Sequence, residues 1–200
     1  MVIYFFFILL HAEKTNRMKP FSEDEIVEKL RNPHTRREAF TKIVETYSEK
    51  QYWMIRKMVL SHEDANDILQ NTFLKAWVNI DSFRGDAKFF TWICKIAINE
   101  TITFLNRQRA MNNISLDDAD VFMLERLSGD DYFDGDALQL KLEEAILRLP
   151  EKQRIVFLMK YKDEMKYDDM SEILGTSVGA LKASYHHAIK KIEAFLTENI

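Results

Sequence analysis

The sequence predicts an all-α fold built as two small helical domains joined by an acidic, flexible linker, and three observations carry that prediction. Apolar residues recur at the three-and-four spacing of helix faces and seldom alternate as strands require. Only five glycines and three prolines interrupt 200 residues, of which 46% are hydrophobic, so the chain can bury one sizeable core or two small ones. The charge is unevenly spread: residues 111–140 hold one arginine against eight acidic residues, while residues 36–110 hold 12 basic and 9 acidic ones. The acidic stretch, "MNNISLDDADVFMLERLSGDDYFDGDALQL", has two glycines and no apolar period, which is a linker's composition. The expected division is residues 1–17, a first domain over 18–110, a linker over 111–136 and a second domain over 137–200.

Residues 1–10, "MVIYFFFILL", are ten apolar residues in a row. A spanning helix needs about 20 such residues, and the stretch lacks the basic leader and small-residue cleavage site of a signal peptide. Residues 1–17 therefore read as an upstream extension of the reading frame or an apolar tail, with translation starting at Met18. Ser22 followed by Glu25 then forms a capping box for the first helix. The next helix is expected over Arg36–Val59, with Phe40, Ile43, Val44, Tyr47, Tyr52 and Ile55 inward. After the polar break "SHEDAND", another runs over Asp64–Ile80, burying Ile68, Thr72, Phe73, Ala76, Trp77 and Ile80. Its other face carries Asp64, Asp67, Gln70, Asn71 and Lys75. Beyond a turn at Gly85, Asp86 is expected to cap a helix to Gln108 with Ile93, Ile96, Ala97, Phe104 and Leu105 inward. Phe90 and Trp92 extend that stripe, whereas Phe83, beside Gly85, falls outside it.

In the second domain a helix is expected over Ala137–Leu149, with Pro150 opening the next at its first position. In "YDDMSEILGTSVGALKASYHHAIKKIEAFL", Met170, Ile173 and Leu174 line one helix. Gly175 supplies a left-handed turn residue, and Ser177 caps a longer helix holding Val178, Leu181, Tyr185, Ala188 and Ile192 inward. That is the pattern of a helix-turn-helix. Lys182, His186 and Lys190 stand at i, i+4 and i+8 and form a basic stripe on the second helix.

Several chemistries find no support. A lone Cys94 inside an apolar helical pattern cannot pair and reads as a buried thiol. The histidines lack metal-ligand spacing; adjacent His186 and His187 point about 100° apart on a helix. No nucleophile–base–orienter set and no phosphate-cradling glycine loop occurs, so no enzyme, cofactor, metal or small-molecule substrate is expected.

The motifs "DANDILQNTFLKAW", "FRGDAKFFTWICKIAIN" and "LPEKQRIVFLMKY" with "MSEILGTSVGALKASYHHAIKKIE" resemble regions 2 and 4 of bacterial RNA polymerase sigma factors of the extracytoplasmic-function group, over residues 36–196. The resemblance implies a cytoplasmic transcription initiation factor that binds core RNA polymerase at its clamp coiled coil and flap. It implies recognition of promoter DNA, including a flipped-out base of the minus-ten element, and an anti-sigma factor as a further partner. It places the base near the loop 82–87, with Phe83 and Asn99 as holders and Arg84, Lys88, Arg107 and Arg109 on phosphates. It assigns Asp64, Asp67, Gln70, Asn71 and Lys75 to the polymerase; Asn71 departs from the family's usual glutamate. Ser177, Ala180, Lys182, Ser184, His186, His187 and Lys190 are implied at the minus-thirty-five element. Ser184 and His187 replace family arginines there, leaving fewer bidentate contacts to guanine. The linker resembles the segment that threads the RNA exit path, where its charge would mimic a transcript. A stand-alone helix-turn-helix regulator, with a dimerising or sensing first domain, is the alternative. It has no use for a polymerase-facing stripe together with an aromatic single-strand pocket at residues 64–109.

Overall fold

A computed structural model describes residues 22–111 and 137–199; the expectations for residues 1–17 and for most of the linker lie outside the described residues. Eight α-helices and no strand occur among them. Helix α1, Glu23–Arg31, starts at the expected capping box: the Ser22 N–H donates to Glu25 Oε2 (2.8 Å) and the Glu25 N–H to Ser22 Oγ (3.3 Å). The Ser22 N–H and the Ser22 hydroxyl, which also donates to Glu25 Oε2 (3.1 Å), hold the Glu25 carboxyl below its usual range. Helix α2 spans Arg36–Val59, as its periodicity predicts. It ends at Leu60, whose left-handed φ of 59° turns the chain while its side chain stays buried.

Helix α3, His62–Val78, starts two residues earlier than expected because Ser61 caps it, Oγ accepting from the Asp64 N–H at 3.2 Å. A 3-10 turn, Ile80–Ser82, leads to the glycine loop and to α4, Phe89–Met111. Asp86 is not the cap of α4: the chain is still bending through Gly85, Asp86 and Ala87, and the first helical bond runs from the Trp92 N–H to the Lys88 carbonyl. Helices α2, α3 and α4 pack together, and α1 lies on α2. Phe73, Phe89 and Ile93 are fully buried at their centre, with Phe40 edge-on to Phe73 (6.4 Å) and Trp77 (5.0 Å). Cys94 is buried too, taking a hydrogen bond from Gln51 Nε2 (3.1 Å), and burial pushes its thiol pKa up to about 12.

The second domain comprises α5 (Ala137–Leu147), α6 (Glu151–Phe157), α7 (Tyr167–Leu174) and α8 (Val178–Asn199). Pro150 is the residue before α6, not its first helical one: its extended ψ of 139° sets the entry angle. A π turn, Leu158–Lys162, continues α6 and widens it, so that the Asp163 N–H reaches back to the Leu158 carbonyl (3.1 Å). Helix α8 packs across α5, α6 and α7, burying Leu181, Ala188 and Ile192.

The two domains touch directly. Helix α4 packs on α7, Lys57 pairs with Asp163, and Arg109 pairs with Glu151. Both ion pairs are largely withdrawn from solvent.

Candidate nucleic-acid interface

The loop after α3 is shaped by two constraints on one residue. Gly85 has a left-handed φ of 84°, and a Cβ there would lie 2.9 Å from Val27 Cγ2 on α1. Upstream, Ser82 Oγ donates to the Asn79 carbonyl (2.7 Å) and the Phe83 N–H to the Ile80 carbonyl (3.1 Å), turning Phe83 inward. Its ring packs edge-on against Phe89 at 5.0 Å and tilted against Trp92 at 5.5 Å, and only 7% of the residue is exposed. The expectation that Phe83 stands outside the core is therefore corrected: the ring closes the floor beneath the first turn of α4, and a base cannot stack on it without displacing it.

Of the four aromatics around the loop, Phe90 and Trp92 keep part of their surface open, and Trp92 is the one beside the lysines of the α4 row. It is half-buried and tilted against Phe89 at 5.4 Å. At 100° per residue, Lys88, Trp92, Lys95 and Asn99 fall within an arc of about 60°. Lys88, Lys95 and Asn99 are exposed. This row was passed over in the sequence because Trp92 also continues the apolar stripe; the spacing from Lys88 to Asn99 was the available signal. Arg84 and Arg107 are exposed as well, Arg107 about 80° round the helix from Asn99. Arg109 is engaged otherwise, donating to Asn106 Oδ1 (2.7 Å) and pairing with Glu151 of the second domain. Phe90 faces Tyr47 (5.7 Å) under the Lys50 ammonium (4.3 Å).

On α3, Asp67, Asn71 and Lys75 are exposed, and Asp64 and Gln70 are half-buried beside them. Lys75 bridges to Glu100 of α4 at 2.5 Å. The same face carries two large apolar residues that sequence reasoning missed, Leu74 (40% exposed) and Val78 (76%). An apolar pair ringed by polar groups is the anatomy of a protein-binding surface.

In the helix-turn-helix, Gly175 takes the expected left-handed conformation (φ 61°), its N–H bonding the Ser171 carbonyl. Ser177 Oγ accepts from the Ala180 N–H at 3.3 Å. Leu181, Tyr185, Ala188 and Ile192 of α8 turn inward, Tyr185 stacking on Phe157 (5.8 Å). On the outer side His186, His187, Lys190 and Ala180 are exposed, and nothing lies within 4 Å of a Cβ placed on Gly179. Lys182 and Ser184 occupy the two flanks of this face: Lys182 is exposed, its Nζ 5.7 Å from the Tyr167 ring, and Ser184 is half-buried.

Residues 43–111 match the family Sigma-70 region 2, and residues 139–192 match Sigma-70, region 4. The chain is 34% identical over 157 residues to the ECF RNA polymerase sigma factor SigW of Bacillus subtilis, covering 74% of this chain and 84% of that one. It is 30% identical over 165 residues to the ECF RNA polymerase sigma-E factor of Haemophilus influenzae, covering 78% and 87%. Its fold is similar to that of CnrH in complex with the cytosolic domain of CnrY (TM-score 0.61, 20% identity, 89% of this chain and 96% of that one). It is also similar to the sigma factor RpoE of Bartonella quintana in complex with the anti-sigma factor NepR (TM-score 0.60, 18% identity, 79% and 96%). An α3 face with exposed Leu74 and Val78, a cationic aromatic row on α4 and a helix-turn-helix in the second domain thus fall within the two matched regions, and the chain belongs to the ECF group of RNA polymerase sigma factors.

Proposed function

We propose that the chain works as a two-handed promoter reader whose first domain both holds the polymerase and opens DNA. The observation that carries this reading is the presence of two unlike faces on one small bundle. The α3 face, with Asp67, Asn71, Leu74 and Val78, suits a protein partner, and we assign it to core polymerase. The α4 row, with Lys88, Trp92, Lys95 and Asn99, suits an unpaired strand: lysines neutralise phosphates, the indole stacks on a base, and the Asn99 amide can bond a base edge. Unstacking a base step costs about 0.6–2.2 kcal/mol and one aromatic contact returns roughly 1–3, so Trp92 offsets about one of the two steps an extruded base gives up, and the Asn99 amide and the lysines supply the rest.

Duplex contact falls to α8, where His186, Lys190 and Lys182 face outward and Gly179 lets a backbone approach. With no arginine on that face, sequence reading there rests on single-point donors and on shape. The linker lies between the two DNA-reading domains and needs only length and charge. Such a factor acts without catalytic groups of its own, in the cytoplasm where polymerase works; among the described residues no helix is long and apolar enough to cross a membrane. The complex of the neighbouring sigma factor RpoE with the anti-sigma factor NepR supports an anti-sigma partner for this chain too. Run-off transcription with core polymerase tests the reading. The purified chain should confer promoter-specific initiation on core and bind duplex poorly alone; tight, specific duplex binding without core would favour the stand-alone regulator instead.

A further inference from the structure

A cleft of about 410 Å³ lies between α1 and the glycine loop, lined by Val27, Glu28, Arg31, Arg84 and Gly85. Its walls are tied together: Arg31 Nη2 donates to the Arg84 carbonyl at 3.2 Å, and Val27 sits so close over Gly85 that no side chain fits between them. The Glu28 carboxylate and the Arg84 guanidinium take part in none of the side-chain hydrogen bonds or ion pairs among the described residues. The cleft therefore presents two guanidinium groups, one carboxylate and an apolar floor at the edge of the loop that leads into α4.

These groups limit what can occupy the cleft. Two arginines call for an anion, and a planar guanidinium favours phosphate. The carboxylate has the opposite demand: it repels phosphate and can only accept hydrogen bonds, so a phosphate-bearing ligand must bring N–H donors to Glu28. Nucleotides meet both demands, and among the bases guanine alone carries two adjacent donors, N1–H and N2–H, matching a carboxylate's paired oxygens. Arg84 lines the cleft and Lys88 starts the α4 row; four residues of chain span at most about 14 Å. One strand can therefore serve both places.

Building on the single-strand role assigned to α4, we propose that this cleft is a second nucleotide site for the unpaired strand, selective for guanine. Glu28 reads the base edge, Arg31 and Arg84 hold the adjoining phosphates, and Val27 packs on the base plane. The first helix, which lies outside the matched region 2 segment, thereby becomes part of sequence recognition.

The test uses holoenzyme reconstituted from core polymerase and the full chain, titrated with labelled thymine-tract oligonucleotides carrying one guanine, adenine or cytosine at each position in turn. Guanine at one position should tighten binding roughly tenfold over the other bases, the discrimination of one good bidentate pair. Glu28→Ala and Glu28→Gln should abolish that preference with no change in melting temperature, both being changes at an exposed helix position. Arg31→Ala should weaken all tracts alike and leave the preference. Equal affinity for all bases at every position, or a guanine preference that survives Glu28→Ala, overturns the proposal. Free guanosine monophosphate competing as well as the guanine tract would also overturn it, because the site would then serve a small nucleotide. The strand-binding reading fails separately: it falls if Trp92→Ala and Lys88→Ala leave binding of the plain thymine tract unchanged.

Discussion

Replacing Phe83 by alanine separates a structural ring from a base-holding one. The side chain is buried in the first domain's core and meets two aromatic neighbours at 5.0 and 5.5 Å. Removing it forfeits about 2–3 kcal/mol of transfer energy, and the ring contacts with Phe89 and Trp92 add about 0.5–1.5 kcal/mol. The expected loss is thus about 3–4 kcal/mol, within the roughly 3–5 kcal/mol typical of Phe→Ala in cores. For a chain of this size that lowers the unfolding midpoint by roughly 10 °C. Urea and thermal melts followed by circular dichroism read the change. In transcription at a temperature where the variant stays folded, duplex templates and templates pre-opened across the minus-ten element should suffer equally, since a core residue touches neither. Trp92→Ala should behave oppositely, failing on duplex templates and recovering on pre-opened ones, with a smaller stability loss. A Phe83→Ala protein that melts within about 1 kcal/mol of wild type and is rescued only by pre-opened templates would refute this placement of the ring.

Reversing charge at the α3 face, Asp67→Arg, should weaken association with labelled core polymerase about tenfold in fluorescence titrations while changing stability by less than about 0.5 kcal/mol. Lys182→Ala should lower initiation from intact promoters and gain nothing from pre-opened minus-ten templates, as run-off assays on both will show. Lys57→Ala should cost about 3 kcal/mol in denaturant melts, because it leaves the Asp163 carboxylate buried and unpaired. Burial holds the Asp163 carboxyl above the usual carboxylate range in spite of Lys57. The folded state therefore binds the proton more tightly than the unfolded one, and this group's contribution to stability falls as pH rises from the unfolded value through the folded one. Asp163→Asn should flatten that part of the pH–stability curve, measured by urea melts in a series of buffers. Cys94, with its thiol pKa pushed to about 12, should resist thiol reagents near pH 8 in the native protein and react at once in denaturant.

Much of this molecule was legible locally. The capping box at Ser22, the bounds of α2, the left-handed Gly175 and the Ser177 cap follow from side chains and neighbours only a few residues apart, so a linear reading captures them. The loop before α4 was not legible in this way. Phe83 lies six residues ahead of Phe89 across a glycine turn, and no helical period relates the two rings; only the inward bond from its N–H to the Ile80 carbonyl decides which side it takes. Trp92 failed for the converse reason: it belongs to the apolar stripe by spacing and to the Lys88–Asn99 row by position, and packing of Phe83 and Phe89 beneath it settles how much indole stays in water. Leu74 and Val78 were legible by period, each within about 20° of Asp67 round the helix, but the reading of that face took in only its polar residues.

The contact between the domains was the least legible feature, and it bears on how the factor works. Arg109 reads as a phosphate ligand on its own helix, and Glu151 as an ordinary first-turn acid; nothing in either segment announces their pairing across the chain that separates them. The same holds for Lys57 and Asp163, since the π turn that carries Asp163 to Lys57 has no sequence signature. If both pairs close the two domains on each other, Arg109 is available to a phosphate only after Glu151 lets it go. Glu151→Gln releases the arginine without altering α4. It should strengthen binding of pre-opened promoter DNA two- to fivefold, the worth of about 0.5–1 kcal/mol for one partly exposed charge contact, and leave binding of duplex minus-thirty-five DNA unchanged. No gain on pre-opened DNA would show that Arg109 belongs to the fold alone.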